Sequence, residues 1–279
     1  MTTAAPAATD RQVTLNGLRF NYRDWGNDAA QPLVLLHGYT GHARSWDTFA
    51  AAMADRYHVL ALDQRGHGDT EWAEDYASER MVDDVAAFVA ALDLKQFALL
   101  GLSMGGRNAF AYAGSRPPEL ERLVIVDIGP EIVTSGSDRI RAGVQASDVF
   151  ADPEEAFARQ RAMNPRPPDA ELRHRVFHSL KQLPDGAWTF KYDKALRSPD
   201  RPLPRPDTDE SWAKIAQINV PTLLVRGVAS DILGEDVAAR MVREIPGCEF
   251  VTVPDAGHSI PLDNPQGFIA AVRPFLERR

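Results

Sequence analysis

Ser103 lies in Gly101-Leu-Ser-Met-Gly105, directly after the apolar run Phe97 to Leu100 and directly before a helical pattern. A serine at a strand-to-helix turn, flanked by glycines that leave room for the bend, is placed to attack a carbonyl carbon. The helix behind it favours negative charge at its start. Such a serine needs a base to take its proton, an acid to orient that base, and N–H donors for the oxyanion formed on attack.

His258 is the base the chain favours among its seven histidines. It follows the last strand pattern on the glycine turn Val253-Pro-Asp-Ala-Gly257-His258-Ser259, which keeps the order nucleophile, acid, base along the chain. His37, beside Gly38 at the end of an apolar run, reads as a residue that pins its loop by hydrogen bonds. His174 and His178 have the spacing to share a metal, but no HExxH glutamate or third ligand accompanies them. They read as a solvated helix face, and no metal is expected. The candidate oxyanion donors are the N–H groups of Met104, at the helix start, and of Tyr39, in His37-Gly-Tyr-Thr-Gly41. Two carboxylates compete for the acid: Asp127, which ends Leu123-Val-Ile-Val-Asp127, and Asp231, which follows Gly227.

These residues need a scaffold that brings strand ends together. Short runs at Val13 to Leu15, Arg19 to Tyr22, Leu33 to Leu36, Val59 to Leu62, Phe97 to Leu100, Leu123 to Val126, Thr222 to Val225 and Phe250 to Val253 read as strands. Several are apolar throughout, as strands buried on both faces are. The first two, joined at Asn16-Gly17, form an edge hairpin. Helical patterns alternate with them at Trp46 to Ala54, Ser78 to Leu92, Gly105 to Gly114, Glu235 to Ile245 and Pro265 to Leu276. The expected fold is α/β, a mostly parallel eight-stranded sheet flanked by helices.

After the sixth strand the alternation stops. Ten of the 20 prolines fall from Pro130 to Pro206, and no core strand is legible there, so this stretch reads as an inserted, mostly helical layer. The expected organisation is a disordered tail at 1–10, a core of 11–129 and 220–279, and a helical cap at 130–219.

The chain has 279 residues with 31 Lys and Arg against 39 Asp and Glu, a balance that offers no cationic field for nucleic acid or for an anionic membrane. No run approaches the roughly 18 apolar residues of a membrane span. Cys248 is the only cysteine, which excludes an internal disulfide, and the start MTTAAPAATD lacks the basic and apolar regions of a signal peptide. A cytoplasmic protein is expected. Phosphate-binding GxGxxG and GxxxxGK[ST] patterns are absent where strand meets helix, so no nucleotide cofactor is implied.

His37-Gly-Tyr-Thr-Gly41, Asp63-Gln-Arg-Gly-His-Gly68, Gly101-Leu-Ser-Met-Gly-Gly106 and Ala256-Gly-His258 together resemble the α/β-hydrolase superfamily, in its subgroup with a cap after the sixth strand. The resemblance runs from about Val13 to the end. Dehalogenases and epoxide hydrolases of that superfamily carry Asp where this chain has Ser103, so those chemistries are set aside. The resemblance implies hydrolysis of an ester, thioester, lactone or amide through an acyl-enzyme, without cofactor. It leaves carbon-carbon bond hydrolysis or perhydrolysis on the same triad as alternatives, and a non-catalytic binding module as a reading of another class. In much of the superfamily the acid stands three residues past the glycine after the seventh strand. Here that place holds Ser230, and Asp231 would need a shifted turn. Some capped members place the acid where Asp127 stands, and Asp127 is preferred.

The polar insertion favours a small soluble substrate over a lipid. From Glu131 to Glu210 there are 13 Lys and Arg against 14 Asp and Glu, so the insertion is less acidic than the rest and an anionic substrate is one option. Arg107 and Arg139 or Arg141 are candidates to clamp a substrate carboxylate, with surface ion pairing as the competing role. Trp188 and Tyr192 are candidates to line the pocket, with cap core as the competing role.

Overall fold

Apolar runs that alternate their side chains between two buried faces account for the architecture. In the computed structural model, which describes residues 8–145, 147–197 and 207–278, the chain begins with strands β1 (Thr9–Leu15), β2 (Leu18–Asp24) and β3 (Gln31–Leu36). There follow helix α1 (Asp47–Met53), β4 (Tyr57–Leu62), α2 (Ser78–Ala91), β5 (Phe97–Leu102), α3 (Met104–Ala113) and β6 (Leu120–Val126). The insertion then runs through α4 (Thr134–Gln145), β7 (Val149–Phe150), α5 (Pro153–Met163), α6 (Asp169–Ser179), β8 (Leu180–Gln182), β9 (Trp188–Phe190) and α7 (Thr208–Gln217). The chain closes with β10 (Thr222–Gly227), α8 (Glu235–Glu244), β11 (Glu249–Val253), α9 (Ile260–Asp263) and α10 (Pro265–Leu276).

Eight strands form one sheet in the order β1-β2-β4-β3-β5-β6-β10-β11. The pairs β1·β2 and β2·β4 are antiparallel and the rest are parallel. The β1–β2 hairpin turns at Asn16 and Gly17, both at positive φ (49° and 81°), as a tight two-residue turn requires. In β3, Val34 and Leu36 pack to one side with α2, α3 and α8, while Leu33 and Leu35 pack to the other with α1 and α10. β5 lies between β3 and β6, so its carboxyl end opens at the centre of the sheet edge. Parallel pairing brings the carboxyl ends of β3, β4, β5, β6, β10 and β11 to that same edge.

Three expectations are corrected. The tail expected at 1–10 is shorter, because Thr9 and Asp10 already pair with Asp24 and Arg23 in β1; residues 1–7 lie outside the described residues. The insertion is not only helical: β7, β9 and β8 make an antiparallel three-stranded sheet. Strands of two or three residues are too short to show an alternation in sequence. Finally, α7 falls within the expected cap of 130–219, but its Trp212 and Ile215 join the main core beside α3. The proline run ending at Pro206 lies outside the described residues.

Candidate active site

β5 delivers its chain straight into α3, and the turn between them is Ser103, at φ 55° and ψ −116°. That conformation is strained for a residue with a Cβ, at roughly 1–3 kcal/mol. Packing forces it: a Cβ on Gly101 would stand 2.2 Å from the Gly105 oxygen, and one on Gly105 would stand 2.3 Å from the Leu36 oxygen. Only glycine on both sides lets β5, α3 and the end of β3 meet this closely. The Ser103 N–H donates to Val126 O (2.9 Å), which fixes the turn to β6.

His258 Nε2 lies 2.8 Å from Ser103 Oγ, and its Nδ1 lies 2.8 Å from Asp127 Oδ2. A carboxylate can only accept, so Nδ1 carries the proton and Nε2 is left to accept the serine O–H. Asp127 is fully buried at the end of β6, with φ 52°. Its Oδ1 accepts the Gly227 N–H (3.1 Å), and its Oδ2 also accepts the Ser230 hydroxyl (2.6 Å). Of the two competing carboxylates, Asp127 is the one in contact with His258. Asp231 instead accepts two bonds from Arg139, Nε to Oδ2 (2.7 Å) and Nη2 to Oδ1 (2.8 Å). The hydrogen bond from that guanidinium holds the Asp231 carboxyl below its usual range.

The loop after β3 passes so close that a Cβ on Gly38 would stand 3.3 Å from Ser103 Cβ. His37 holds this loop. Its Nε2 accepts the Gln64 N–H (3.0 Å), so its Nδ1 carries the proton and donates to Gly38 O (2.8 Å). Burial keeps its pKa well below the usual histidine value, so it stays neutral. Gln64 Nε2 donates to His37 O (2.7 Å), and Gln64 Oε1 accepts from Asn108 Nδ2 on α3 (2.7 Å). The helix that begins at Met104 and the loop that carries Tyr39 are thereby tied through one amide. The Met104 N–H stands in the first turn of α3, where no intrahelical acceptor exists.

The remaining candidates divide. Tyr192 is buried with Tyr76 and Leu196 in a cluster against which Tyr39 and Met104 pack. Trp188 packs into the insertion's own core with Phe150 and Leu172, away from Tyr39 and Met104. Arg139 has its guanidinium taken up by Asp231, so its competing role as an ion-pair partner is the one it plays. The Arg141 side chain lies outside the described residues. Arg107 is half-buried on α3, and its N–H donates to Ser103 O (2.9 Å). His174 is not on a free helix face: its Nε2 meets Asp47 Oδ2 (3.0 Å), docking the insertion on α1. Among the described residues, the side chains spaced to share a metal are Asp24, Asp28 and His58. They stand at the far end of β2 and β4, where Arg11 and His58 already engage Asp24.

Ser230, Gln64 and Asn108 were not singled out as functional by sequence. Ser230 had a signal, since it occupies the place three residues past Gly227. Gln64 had one too, as the second residue of Asp63-Gln-Arg-Gly-His-Gly68, whereas Asn108 had none, because its partner lies 44 residues away.

A family model described as the alpha/beta hydrolase family matches residues 33–271. The sn-1-specific diacylglycerol lipase ABHD11 of Mus musculus is 32% identical over 272 residues, covering 94% of this chain and 86% of the mouse protein. A 3-hydroxybutyrate-oligomer hydrolase of Cupriavidus necator is 30% identical over 260 residues, covering 86% of this chain and 87% of its own. The crystal structure of E-2-(acetamidomethylene)succinate hydrolase superposes with a TM-score of 0.89 at 25% identity, covering 98% of this chain and 100% of that one.

Proposed function

The chain belongs to the alpha/beta hydrolase family, and from that premise we propose that it is a serine hydrolase cleaving an ester, lactone, amide or related acyl bond of a small substrate. One observation carries the reading: Ser103 Oγ meets His258 Nε2 and His258 Nδ1 meets Asp127 Oδ2, both hydrogen bonds at 2.8 Å. Ser103 attacks the carbonyl carbon while His258 Nε2 takes its proton. Asp127 accepts from Nδ1 throughout and stabilises the imidazolium that forms. The N–H groups of Tyr39 and Met104 receive the oxyanion. His258 then protonates the leaving group, and in the second half it takes a proton from water, which releases the acid and restores Ser103. Nothing in this cycle calls for a metal or an organic cofactor. The related proteins, named as hydrolases and a lipase, support an enzyme over a binding module.

The segment from α4 to β9 acts in this reading as the cap that bounds the substrate, with Tyr192 against the oxyanion side. Among the described residues no helix is long and apolar enough to cross a membrane, which is compatible with a small-molecule enzyme of the cytoplasm. A fluorophosphonate probe and a nitrophenyl acetate assay test the mechanism. Ser103→Ala is expected to lose labelling and to lose turnover by a factor on the order of a million, with its thermal melt retained. Turnover near that of the unaltered enzyme would overturn it.

A further inference from the structure

α6 presents three kinds of side chain around its circumference. Glu171 and His174 face the core, where Thr48 Oγ donates to Glu171 Oε2 (2.8 Å) and His174 meets Asp47. Leu172 and Val176 fill the insertion's interior, and Arg173 pairs with Glu154 on the outside. At 100° per residue, Arg175 falls between Glu171 and Leu172, on the seam where the insertion meets the core. Its backbone is pinned there, because His42, just past the Tyr39 turn, hydrogen-bonds Arg175 O through Nε2 (3.0 Å).

Arg175 is half-buried, and its side chain has no hydrogen bond or ion pair among the described residues. Its positive charge disfavours protonation of His37 and His42 on the oxyanion side and is attracted by the negative charge of Asp263 on the His258 side. Asp263 does not bond to it. The Asp263 oxygens are held by Asn164 Nδ2 (2.7 Å) and by the N–H of Gly257 (2.8 Å), the residue before His258. Arg166 adds a second guanidinium on that side, its Nη1 3.5 Å from where a Cβ on Gly257 would stand. Asp263 therefore offers Arg175 a counter-charge at longer range but no direct bond, and the guanidinium keeps its N–H donors available to a ligand at this seam. The planar fork of arginine is matched by a carboxylate.

Resting on the serine-hydrolase reading above, we propose that Arg175 is the receptor for a carboxylate carried by the substrate, so that the preferred acyl compound is anionic. The assignment differs from the expected clamp at Arg139, which Asp231 already satisfies.

The experiment compares 4-nitrophenyl hydrogen succinate with its methyl ester on the unaltered enzyme and on Arg175→Ala and Arg175→Lys. The free acid is expected to have the higher kcat/KM. Arg175→Ala is expected to cut the acid-to-ester ratio by on the order of a hundredfold, and Arg175→Lys to recover part of it. A ratio that stays put in Arg175→Ala overturns the proposal. That includes a loss shared equally by both substrates, which is the mark of a merely structural role. Calorimetric binding of monomethyl succinate to Ser103→Ala protein, with and without Arg175→Ala, reads the subsite without turnover. If Ser103→Ala still turned over both esters, the serine mechanism would fall, while loss of this binding in Arg175→Ala would still support the subsite and unchanged binding would overturn it.

Discussion

At the carboxyl ends of β5 and β6, Ser103 and Asp127 hang from strands in which Leu99, Leu100, Val124, Ile125 and Val126 are wholly buried. α5 and α6 of the insertion rest on a much smaller cluster built around Phe150, Ala156, Leu172, Val176 and Leu180. Around that cluster run exposed pairs: Arg173 with Glu154, Arg159 with Glu155, Arg161 with Asp169. Pairs of this kind are worth about 0–1 kcal/mol each, whereas a large apolar side chain buried in the core contributes about 1.5–3 kcal/mol. Reacting atoms that must meet within a fraction of an ångström are hung on the rigid region. In the proposed function, contacts that only select a substrate hang on the softer one, where polar ties such as His174 to Asp47 and Asn164 to Asp263 dock it.

The contrast is broken most directly at two aspartates, Asp127, wholly buried at the end of β6, and Asp231, half-buried after β10 where it pairs with Arg139 of the insertion. Asp127→Asn is expected to lower turnover by about ten thousandfold, since the amide favours the wrong histidine tautomer. Asp231→Asn, which alters a carboxylate bonded to Arg139, is expected to lower it by less than about tenfold. Steady-state kinetics on stable variants decide it, and reversed magnitudes would move the acid to Asp231.

A second difference shows in acid. Burial pushes His67 down to about 4 and His42 down to about 3. Unfolded, each would take a proton near pH 6.5, so between roughly pH 4 and 6.5 the unfolded chain binds more protons and stability falls as pH is lowered. Asp63, pushed up to about 6 by burial, works the other way below that pH and offsets part of the loss. His67→Gln is expected to remove about 3 kcal/mol of the acid loss, read from urea unfolding at pH 4.5, 5.5 and 7. An unchanged slope would mean that His67 is not held neutral. The smallest effect belongs to the insertion surface: Glu154→Gln should change the unfolding free energy by less than about 0.5 kcal/mol at moderate salt. A change of 2 kcal/mol would mean that the softer region is stiffer than its packing indicates.

The residues that declare themselves in sequence are those whose role is fixed by local chain geometry. The central strands β3, β4, β5, β6 and β10 are visible because double burial demands apolar runs, and Ser103 because its turn demands glycines on both sides. His258 is visible for a similar reason, on a glycine turn after the last strand. What stays hidden depends on partners far away in the chain. Asp231 looks eligible as an acid until Arg139, 92 residues earlier, is found holding it. α7 reads as insertion until Trp212 and Ile215 are seen in the main core. The three short strands of the insertion leave no periodic trace, since each acquires its identity only by pairing.

Ser103 and Asp127 share a property that neither chemistry nor hydrogen bonding reveals: both sit at positive φ, 55° and 52°, without being glycine. Each forgoes roughly 1–3 kcal/mol, a noticeable part of the 5–15 kcal/mol that typically separates folded from unfolded protein. Glycine at either position would relax the backbone and remove the functional group in the same step. Selection for folding alone would therefore favour glycine at both places, and in the proposed serine mechanism the need for a hydroxyl and a carboxylate is what opposes that relaxation.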